Sequence, residues 1–384
     1  MTISSGKDRF FSRIGTALNE RVQNNLERVL TIRECNDALL DLAGNDYLGL
    51  AHDPLVVKAA AEALQRWGAS SSASPLISGY TSEHAALERE LCNWVGFPHG
   101  LVWNSGYSAN GAVLGTLPQK GDVILADRLV HHSLLAGALH SGARLQRFAH
   151  NDLDALRRLL EMIDSEGKTI FVVTESVYSM DGDTPDLAGL AALKEKYGFI
   201  WVLDEAHAIG WYGAGLAART GITQSVDVLV GTLGKALGSC GAFTVFHNPY
   251  LRRHFINFAG EFIYSTYLPP ANAAAALAAI QRVKDLAKTS LSACQYLSIA
   301  WRESLRQIVP EVSQGDSPVI PIPLGSTERA LRCGAFFKKQ GIRVGTIRPP
   351  TVPNGSSRLR LSLRRGLGAT ELARVTEALK EGLA

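Results

Sequence analysis

Short apolar runs alternate with helix-like stretches through the middle of the chain. Together with a more polar segment at 144–148, these runs give seven predicted strands, at residues 100–103, 123–126, 144–148, 170–174, 200–203, 228–231 and 242–246. Several of these runs are almost continuously apolar, which is typical of strands covered on both faces of a sheet. Helical stretches such as 153–163 and 187–196 lie between most of the strands. The alternation predicts an α/β domain with a mainly parallel sheet.

The two ends of the chain have a different pattern. Near the start, apolar residues at helical spacing predict an amphipathic helix lying on the body of the protein; they are Phe11, Ile14, Leu18, Val22, Leu26 and Val29. Towards the other end, a long helical stretch at 271–307 leads to short strands near 319–323 and 343–346 and to a final helix at 369–383. We therefore expect a large domain at 51–280, a smaller α+β domain at 281–384, and an N-terminal segment at 1–50 that packs with the small domain.

Composition narrows the classes of function. Of the 384 residues, 46% are hydrophobic and 20% are charged, as in an ordinary globular protein. The 39 basic and 36 acidic residues leave a net charge of +3, which favours neither nucleic acid nor an anionic membrane surface as a partner. No apolar run approaches the ~20 residues that span a bilayer, and the first thirty residues lack the apolar core of a secretory signal.

The cysteine pattern gives no sign of disulfides or of a metal site. The chain has five cysteines at wide spacings and no CxxC motif, which excludes a zinc ribbon or a thioredoxin-like motif; they are Cys35, Cys92, Cys240, Cys294 and Cys333. We expect reduced, buried thiols in a cytoplasmic protein and no bound metal.

Two polar segments that follow predicted strands have the clearest chemistry. Asp204 directly follows the run 200–203, at the sheet edge where α/β proteins bind ligands, and His207 comes three residues later. Lys235 lies in the glycine-rich turn GTLGKALGSCG after the run 228–231, together with Thr232. An acidic strand end also occurs in magnesium-dependent nucleotide sites, but those sites need a GxxxxGK[ST] phosphate loop, which this sequence lacks. The remaining alternative for Asp204 is an ordinary polar turn.

An aspartate at a strand end, followed about 30 residues later by a lysine in a glycine-rich turn, is typical of pyridoxal-phosphate enzymes. The aspartate keeps the pyridine nitrogen protonated, and the lysine binds the cofactor as a Schiff base. A lone lysine in a loop is usually a solvated surface charge. The glycines and apolar residues around Lys235 indicate a less solvated site, in which an amine loses its proton more readily.

Other polar segments lie at the same predicted edge. Segment 104–110 follows a strand and opens a helix, whose free backbone N–H groups bind phosphate or are simply capped by a side chain. His131 is placed to stack on a cofactor ring, and Ser179 to reach the cofactor. In the alternating run 358–363, Arg358 and Arg360 share one strand face, and either one is suited to hold a substrate carboxylate. A solvated, charged strand face is the alternative for that run.

Nine segments resemble the α-oxoamine synthases, a family of pyridoxal-phosphate enzymes. They are NDYLGL, ISGYTSEHAALE, NSGYSAN, DRLVHHSLL, ESVYSMDGD, DEAHAIG, GTLGKALGS, YSTYLPP and TIRPPTVPNGSSRLRLSL. These segments run from residue 45 to residue 363 and follow one another in the same order as in the family. It implies fold type I of these enzymes, with a seven-stranded sheet in which the run 242–246 is antiparallel. It also implies a homodimer with both active sites at the interface.

The resemblance also implies a role for each matching residue. Lys235 matches the Schiff-base lysine, Asp204 the partner of the pyridine nitrogen, and His131 the stacking histidine. His207 and Ser179 match residues near the phenolic oxygen of the cofactor. The phosphate contacts are Gly106, Tyr107 and Thr232, joined across the dimer by Ser265 and Thr266. Arg360, helped by Asn45, matches the group that holds the amino-acid carboxylate, and Arg28 and Thr351 match residues of the acyl channel.

The segments IRPPTVP and RFAHND favour the family member of the biotin pathway. That resemblance implies condensation of L-alanine with a pimeloyl thioester of CoA or acyl carrier protein, with loss of CO₂. The alternatives are the glycine-using members, 5-aminolevulinate synthase and 2-amino-3-ketobutyrate ligase, and a non-catalytic subunit, which is expected to lack the lysine. The segment ASSSASPL departs from the family, since that loop is usually glycine-rich and lies near the substrates.

Overall fold

A computed structural model describes residues 5–35 and 37–383 of the chain. The strands are β1 (Leu40–Leu42), β2 (His99–Trp103), β3 (Val123–Asp127), β4 (Arg144–Phe148), β5 (Ile170–Glu175), β6 (Ile200–Asp204), β7 (Val228–Thr232), β8 (Ala242–Phe246), β9 (Val319–Gly325), β10 (Ile342–Ile347) and β11 (Ser357–Ser362). The helices before β6 are α1 (Gly6–Gln23), α2 (Pro54–Trp67), α3 (Ser82–Val95), α4 (Gly106–Thr116), α5 (His132–His140), α6 (Leu153–Met162) and α7 (Leu187–Tyr197). Those after it are α8 (Leu216–Thr220), α9 (Pro249–Phe258), α10 (Gly260–Ile263), α11 (Pro270–Ala287), α12 (Leu291–Arg306), α13 (Thr327–Lys339) and α14 (Ala369–Leu383).

All seven predicted strands of the large domain form, and they lie in one sheet. Its order is β2-β8-β7-β6-β5-β3-β4, and β8 runs antiparallel to both of its neighbours while the other strands are parallel. Every residue of β3, β5, β7 and β8 is buried, as the continuous apolar runs predict. The predictions of a mainly parallel seven-stranded sheet and of an antiparallel run at 242–246 are confirmed.

The strand register places the chemistry at one edge of this sheet. Glu175 at the end of β5 lies opposite Asp204 at the end of β6, and Asp204 in turn pairs with Val230 of β7. Because β5, β6 and β7 are parallel, the segments that follow them leave the sheet on the same side. The turn with Lys235 is therefore close to Asp204, although 31 positions separate the two residues in the sequence.

A second, four-stranded sheet has the order β1-β10-β11-β9. The N-terminal strand β1 runs parallel to β10 and pairs Leu42 with Val344. The strand β11 is antiparallel to both β10 and β9, and pairs Arg360 with Gly345 on one side and Pro321 on the other. The N-terminal strand thus belongs to the sheet of the C-terminal part. On this pairing we propose the division into residues 1–50, 51–280 and 281–384.

The structure corrects the sequence-based description of helix α1. The helix ends at Gln23 rather than near residue 29, since Asn24 caps it and Asn25 adopts a left-handed conformation with φ of 56°. It has no buried residue, so the prediction that it lies on the body of the protein is wrong for this chain. Its apolar face, with Phe10 and Phe11, is exposed. A helical period reports that a face is apolar, not which surface covers it.

Two further expectations are wrong. The stretch 271–307 is two helices, α11 and α12, because Ser290 leaves the helical conformation and Thr289 donates its hydroxyl to the carbonyl of Asp285. Cys35 and Cys240 are exposed rather than buried, whereas Cys294 and Cys333 are buried and all five cysteines are free.

Within the part of the chain that the structure describes, no helix has the length and apolar character to cross a bilayer.

Candidate active site

The carboxylate of Asp204 is buried and held in one orientation. Its Oδ1 accepts a hydrogen bond from the backbone N–H of Ala206 at 2.8 Å, and its Oδ2 accepts one from Asn110 Nδ2 at 2.8 Å. Asn110, on helix α4, also donates to Ser133 Oγ at 2.9 Å. The turn after β6 and helix α4 therefore fix this carboxylate, and helix α5 supports it through Asn110. Asn110 and Ser133 were not among the predicted site residues, because no local sequence pattern identifies a side chain that contacts a carboxylate far away in the chain.

Lys235 brings an amine with a lowered pKa to the same place. Burial lowers its pKa to about 8 against the opposing charges of Asp204 and Glu175, and the charge of Arg360 lowers it further. Its Nζ lies 2.8 Å from Nε2 of His207. The turn that carries it needs glycine at Gly238, where φ is 62° and a Cβ would lie 2.2 Å from the backbone nitrogen of Ala51. Such an amine is a good nucleophile towards a carbonyl carbon.

His207 joins Lys235 to the NDYLGL segment. Its Nδ1 lies 2.6 Å from the hydroxyl of Tyr47, which is fully buried, and burial holds the pKa of His207 well below 6.5. The Tyr47 hydroxyl donates to Asn45 Oδ1 at 3.0 Å. Tyr47 was not among the predicted site residues. The family resemblance identified its segment, NDYLGL, but assigned a role in that segment to Asn45 only.

The two arginines of β11 have different partners. Arg360 is buried; its Nε donates to the carbonyl of Ser179 at 2.7 Å and both terminal nitrogens lie 3.2 Å from Asn45 Oδ1. Arg358, on the same strand face, forms an ion pair with Asp181 and donates to the carbonyl of Met180. Alternation left the choice between them open. The structure places Arg360 next to Asn45 and leaves Arg358 neutralised by a carboxylate.

His131 lies above the same strand ends, at the start of helix α5. Its Nδ1 is 2.7 Å from Ser133 Oγ, and its backbone N–H donates to the carboxyl of Glu175. Burial lowers the pKa of His131 despite the nearby charge of Asp204, so the ring is neutral. Burial likewise raises the pKa of Glu175 well above its usual range, with the charge of Asp204 acting in the same direction.

The predicted phosphate contacts fall in three segments. Gly106 and Tyr107 begin helix α4, which Ser105 caps by accepting from the N–H of Ser108. Thr232 ends β7, accepts from the N–H of Gly234 and donates to the carbonyl of Gly241.

The third segment holds Ser265 and Thr266, and it is bound to the residues before α4. Asn104 Nδ2 donates to Ser265 Oγ at 2.8 Å and to the carbonyl of Thr266 at 2.7 Å. The structure therefore places this segment beside the helix start within one chain. A role for it across a dimer stays a prediction.

Arg28 and Thr351, the predicted residues of the acyl channel, form a pair of their own. The Arg28 guanidinium donates to Thr351 Oγ1 at 2.8 Å, and both side chains are exposed. The structure thus brings together two residues that are 323 positions apart, but on the surface rather than in the buried group around Lys235. The pair joins the segment after α1 to the loop between β10 and β11.

The assembled residues have complementary chemistry. A buried carboxylate, an amine of lowered pKa, a neutral histidine and an arginine beside an amide oxygen all converge at one edge of the sheet. Such a set can capture a carbonyl compound, stabilise a cationic ring nitrogen and hold a carboxylate.

Comparison with known proteins agrees with this arrangement. The model of the family Aminotransferase class I and II matches residues 37–379. The 8-amino-7-oxononanoate synthase of Vibrio cholerae is 40% identical over 384 residues, covering 97% of each chain. The chain belongs to the 8-amino-7-oxononanoate synthase family. A second member of that family, from Stutzerimonas stutzeri, is 41% identical over 90% of this chain and 88% of its own.

Solved structures place the 8-amino-7-oxononanoate synthase family within a larger fold group. A Sphingomonas wittichii serine palmitoyltransferase superposes with a TM-score of 0.89 at 25% identity, covering 99% of this chain and 98% of its own. The 8-amino-7-oxononanoate synthase of Francisella tularensis has a TM-score of 0.76 at 27% identity, covering 90% of this chain and 98% of its own. The predicted family and fold type I are thereby confirmed.

Proposed function

We propose that this protein condenses L-alanine with a pimeloyl thioester to form 8-amino-7-oxononanoate, CO₂ and the free carrier thiol, with pyridoxal phosphate as cofactor. The observation that carries the proposal is the buried group in which Lys235 lies between the charges of Asp204 and Arg360. The 40% identity to the Vibrio cholerae enzyme of that name supports the choice of reaction. This reaction is an early step of biotin synthesis.

The residues present fit pyridoxal phosphate. Asp204 would hold the proton of the ring nitrogen, Lys235 would bind the aldehyde carbon and His131 would lie against the ring. The residues that would hold the phosphate are Gly106, Tyr107, Thr232, Ser265 and Thr266, with Ser179 and His207 near the phenolic oxygen. When bound, the cofactor withdraws electrons from the substrate carbon that loses a proton or CO₂.

Asp204 suits this task because its carboxylate is buried and two hydrogen bonds hold it in one orientation. Its Oδ2 accepts from Asn110 Nδ2 and its Oδ1 accepts from the backbone N–H of Ala206, both at 2.8 Å. A buried, ionised carboxylate in a region of low dielectric strongly favours a protonated nitrogen partner. Its orientation towards the site is determined by Asn110 and the N–H of Ala206.

Lys235 is the residue that moves the proton of the alanine Cα. With a pKa of about 8, roughly a quarter of its amine is neutral at pH 7.5, whereas an ordinary lysine is neutral in about one molecule in a thousand. An amine near its pKa both takes and returns a proton efficiently. Its Nζ is held by His207, which keeps it facing the same edge of the sheet as Asp204.

Arg360 and Asn45 hold the alanine carboxylate in this proposal. The guanidinium is positioned by the carbonyl of Ser179 and by Ser362 Oγ, which leaves its terminal nitrogens directed at Asn45. A carboxylate bound by a guanidinium gains two parallel hydrogen bonds. Arg358 is unsuited to this role because Asp181 already neutralises it.

The pimeloyl chain and its carrier enter from elsewhere. The exposed pair of Arg28 and Thr351 supports an acyl channel along the loop between β10 and β11, and the positive guanidinium suits a carboxylate or phosphate group of the acyl substrate. CoA and acyl carrier protein both present such groups. The altered loop ASSSASPL precedes Ile77, which is 82% exposed, so this loop is available to either carrier.

We further propose a cytoplasmic homodimer with shared active sites. Large side chains beside the predicted phosphate segment are exposed in the single chain: Tyr264 is 86% exposed and Tyr107 is 53% exposed. Exposed aromatic residues next to a site are a common mark of an interface. A second copy of the chain would cover them and complete the site.

The proposed function is tested with the purified protein. After incubation with pyridoxal phosphate and reduction with borohydride, peptide mass spectrometry should find the adduct on Lys235. Product formation is then compared with alanine, glycine and serine, each with pimeloyl-CoA and with pimeloyl-acyl carrier protein. We expect 8-amino-7-oxononanoate from alanine alone. An adduct on another lysine, or faster turnover with glycine, would contradict the proposal.

A further inference from the structure

A continuous chain of hydrogen bonds joins the lysine of the site to its carboxylate-binding pair. Lys235 Nζ lies 2.8 Å from His207 Nε2, and His207 Nδ1 lies 2.6 Å from the hydroxyl of Tyr47. That hydroxyl lies 3.0 Å from Asn45 Oδ1, the atom that accepts from both terminal nitrogens of Arg360, and the hydroxyl also accepts directly from Arg360 Nη2 at 3.4 Å. Tyr47 is the middle link and is fully buried. None of the roles assigned so far involves it.

The chemistry of each group determines the direction of the protons. A charged lysine only donates, so Nε2 of His207 is the acceptor. The imidazole is neutral and has one N–H, which must then be on Nδ1 and point at the tyrosine oxygen. The single hydroxyl hydrogen of Tyr47 is left for Asn45 Oδ1. Every donor in the chain has one acceptor when Lys235 is charged.

The chain can also run in the opposite direction when Lys235 has lost one proton. The imidazole then carries its N–H on Nε2 and donates to the free electron pair of Nζ, and Tyr47 turns its hydroxyl hydrogen to Nδ1. One proton has left the chain in total, and Asn45 Oδ1 accepts from Arg360 alone. A hydroxyl both donates and accepts, so Tyr47 serves both directions, whereas a phenylalanine would serve neither.

We propose that Tyr47 is a positioning residue that couples the proton state of Lys235 to the carboxylate-binding pair Arg360 and Asn45. The proposal rests on the proposed function for the identity of the bound carboxylate. It predicts that the hydroxyl sets the tautomer of His207 and, through it, the readiness of Lys235 to give up a proton. Substrate held by Arg360 and Asn45 would then act on the lysine through this chain.

The other charges around the lysine are unchanged when the Tyr47 hydroxyl is removed. Asp204 and Glu175 face Lys235 from the ends of β6 and β5, and Arg360 faces it from β11. His131 and His207 complete the set of titratable groups. Tyr47→Phe leaves all of these side chains in place. In that variant Nδ1 of His207 has no partner, and a buried N–H without an acceptor costs more free energy than a ring nitrogen without a donor. The tautomer of His207 with its proton on Nε2 therefore becomes more populated. Because that tautomer donates to Nζ, it favours neutral Lys235.

The first measurement needs neither cofactor nor substrate. Two-bond proton–nitrogen NMR of ¹⁵N-histidine protein at pH 6.5, assigned with His207→Gln, reports which ring nitrogen carries the proton. We expect Nδ1–H in the wild type and a gain of Nε2–H in Tyr47→Phe. Tyr212→Phe is the matched control, because Tyr212 is also buried and its hydroxyl also donates to a side-chain oxygen, Asp316 Oδ1 at 2.6 Å. Wild-type protein with the proton on Nε2 would overturn the proposal.

The second measurement follows the lysine itself. The rate at which cofactor-free protein captures pyridoxal phosphate, read from visible absorbance against pH, should have a midpoint near 8 in the wild type. Loss of one buried hydrogen bond should move the midpoint down by about half to one pH unit in Tyr47→Phe. The KM for alanine should rise several-fold with little change in that for the pimeloyl thioester. Tyr212→Phe should show neither effect.

The outcomes separate the inference from the function on which it rests. An unchanged tautomer and midpoint in Tyr47→Phe would overturn the coupling, whatever the protein does with alanine. Equal effects in Tyr47→Phe and Tyr212→Phe would also overturn it, since they would report a general loss of packing. Failure of the wild type to act on alanine would overturn the proposed function while leaving the tautomer measurement intact.

Discussion

His150 forms a bridge whose removal should change stability in a pH-dependent way. Its Nδ1 donates to Asp127 Oδ1 at 2.9 Å and its Nε2 donates to Asp183 Oδ2 at 2.8 Å, so both ring nitrogens carry protons. Burial alone would lower the pKa of His150, but the two carboxylates outweigh it and raise the pKa to about 10. The bridge joins the end of β3 to the loop that carries Ser179.

The magnitude follows from the difference between the folded and unfolded pKa values. A rise from 6.5 to about 10 corresponds to roughly 5 kcal/mol if all of it is realised. The Asp183 side chain is 32% exposed, so solvent screens its half of the bridge, and we expect roughly 2–3 kcal/mol. For 384 residues this corresponds to a change of about 3–4 °C in the melting temperature.

The sign of the pH dependence is determined by the raised pKa. The stabilisation is fully present below pH 6.5, where the unfolded imidazole is also protonated, and it is lost as the pH rises through the folded pKa of about 10. We expect His150→Gln to melt about 3–4 °C below the wild type at pH 6 and the gap to shrink by more than half at pH 9.5.

Thermal melts of both proteins at the two pH values check this expectation. His140→Gln, at an exposed position in the last turn of α5, is the control and should melt with the wild type throughout. A gap of the same size at pH 6 and pH 9.5 would show that His150 acts by packing or neutral hydrogen bonds. The reasoning from its charge would then be refuted.

Three further predictions concern the site and its turn. Asp204→Asn should retain pyridoxal phosphate, measured by absorbance, yet lose turnover by orders of magnitude at ~1.4 kcal/mol per factor of ten; turnover within a few-fold of wild type would contradict the role. Arg360→Ala should weaken alanine binding by roughly 10- to 150-fold in a spectral titration, and Arg358→Ala much less, because a charge-assisted pair contributes about 1.5–3 kcal/mol. Gly238→Ala should lower the melting temperature more than Gly96→Ala, because both glycines have positive φ but only a Cβ at position 238 would clash with backbone. Equal decreases in melting temperature would mean that the positive φ alone determines the cost.

The sequence predicted the central strands of the large sheet well, because burial on both faces leaves a continuous apolar run that can be recognised without knowing the neighbouring strands. Asp204 and Lys235 were found for a related reason, since each directly follows such a run. Their position relative to the sheet is therefore determined locally. The roles of these residues stay predictions until they are measured.

The remaining features depend on partners that are far away in the chain. Asn110, Tyr47 and His150 are bonded to groups 94, 160 and 33 positions away, respectively, and nothing in the flanking residues specifies those partners. The same reason explains the error over α1, whose period identifies an apolar face but not its surroundings. Alternation put Arg358 and Arg360 on one face, and the difference between them came from Asp181 and Asn45 across the fold.

The pairing of β1 with β10 has a consequence for the order of events during synthesis. Leu40 is made about 300 residues before its partner Ile342, and Asn45 is separated from Arg360 by 315 positions. At roughly 5–20 residues per second, the ribosome needs on the order of 15 to 60 seconds to span that distance. The large sheet can form meanwhile, but the carboxylate-binding pair cannot. A nascent chain would therefore hold its lysine turn in place well before it could retain an amino acid.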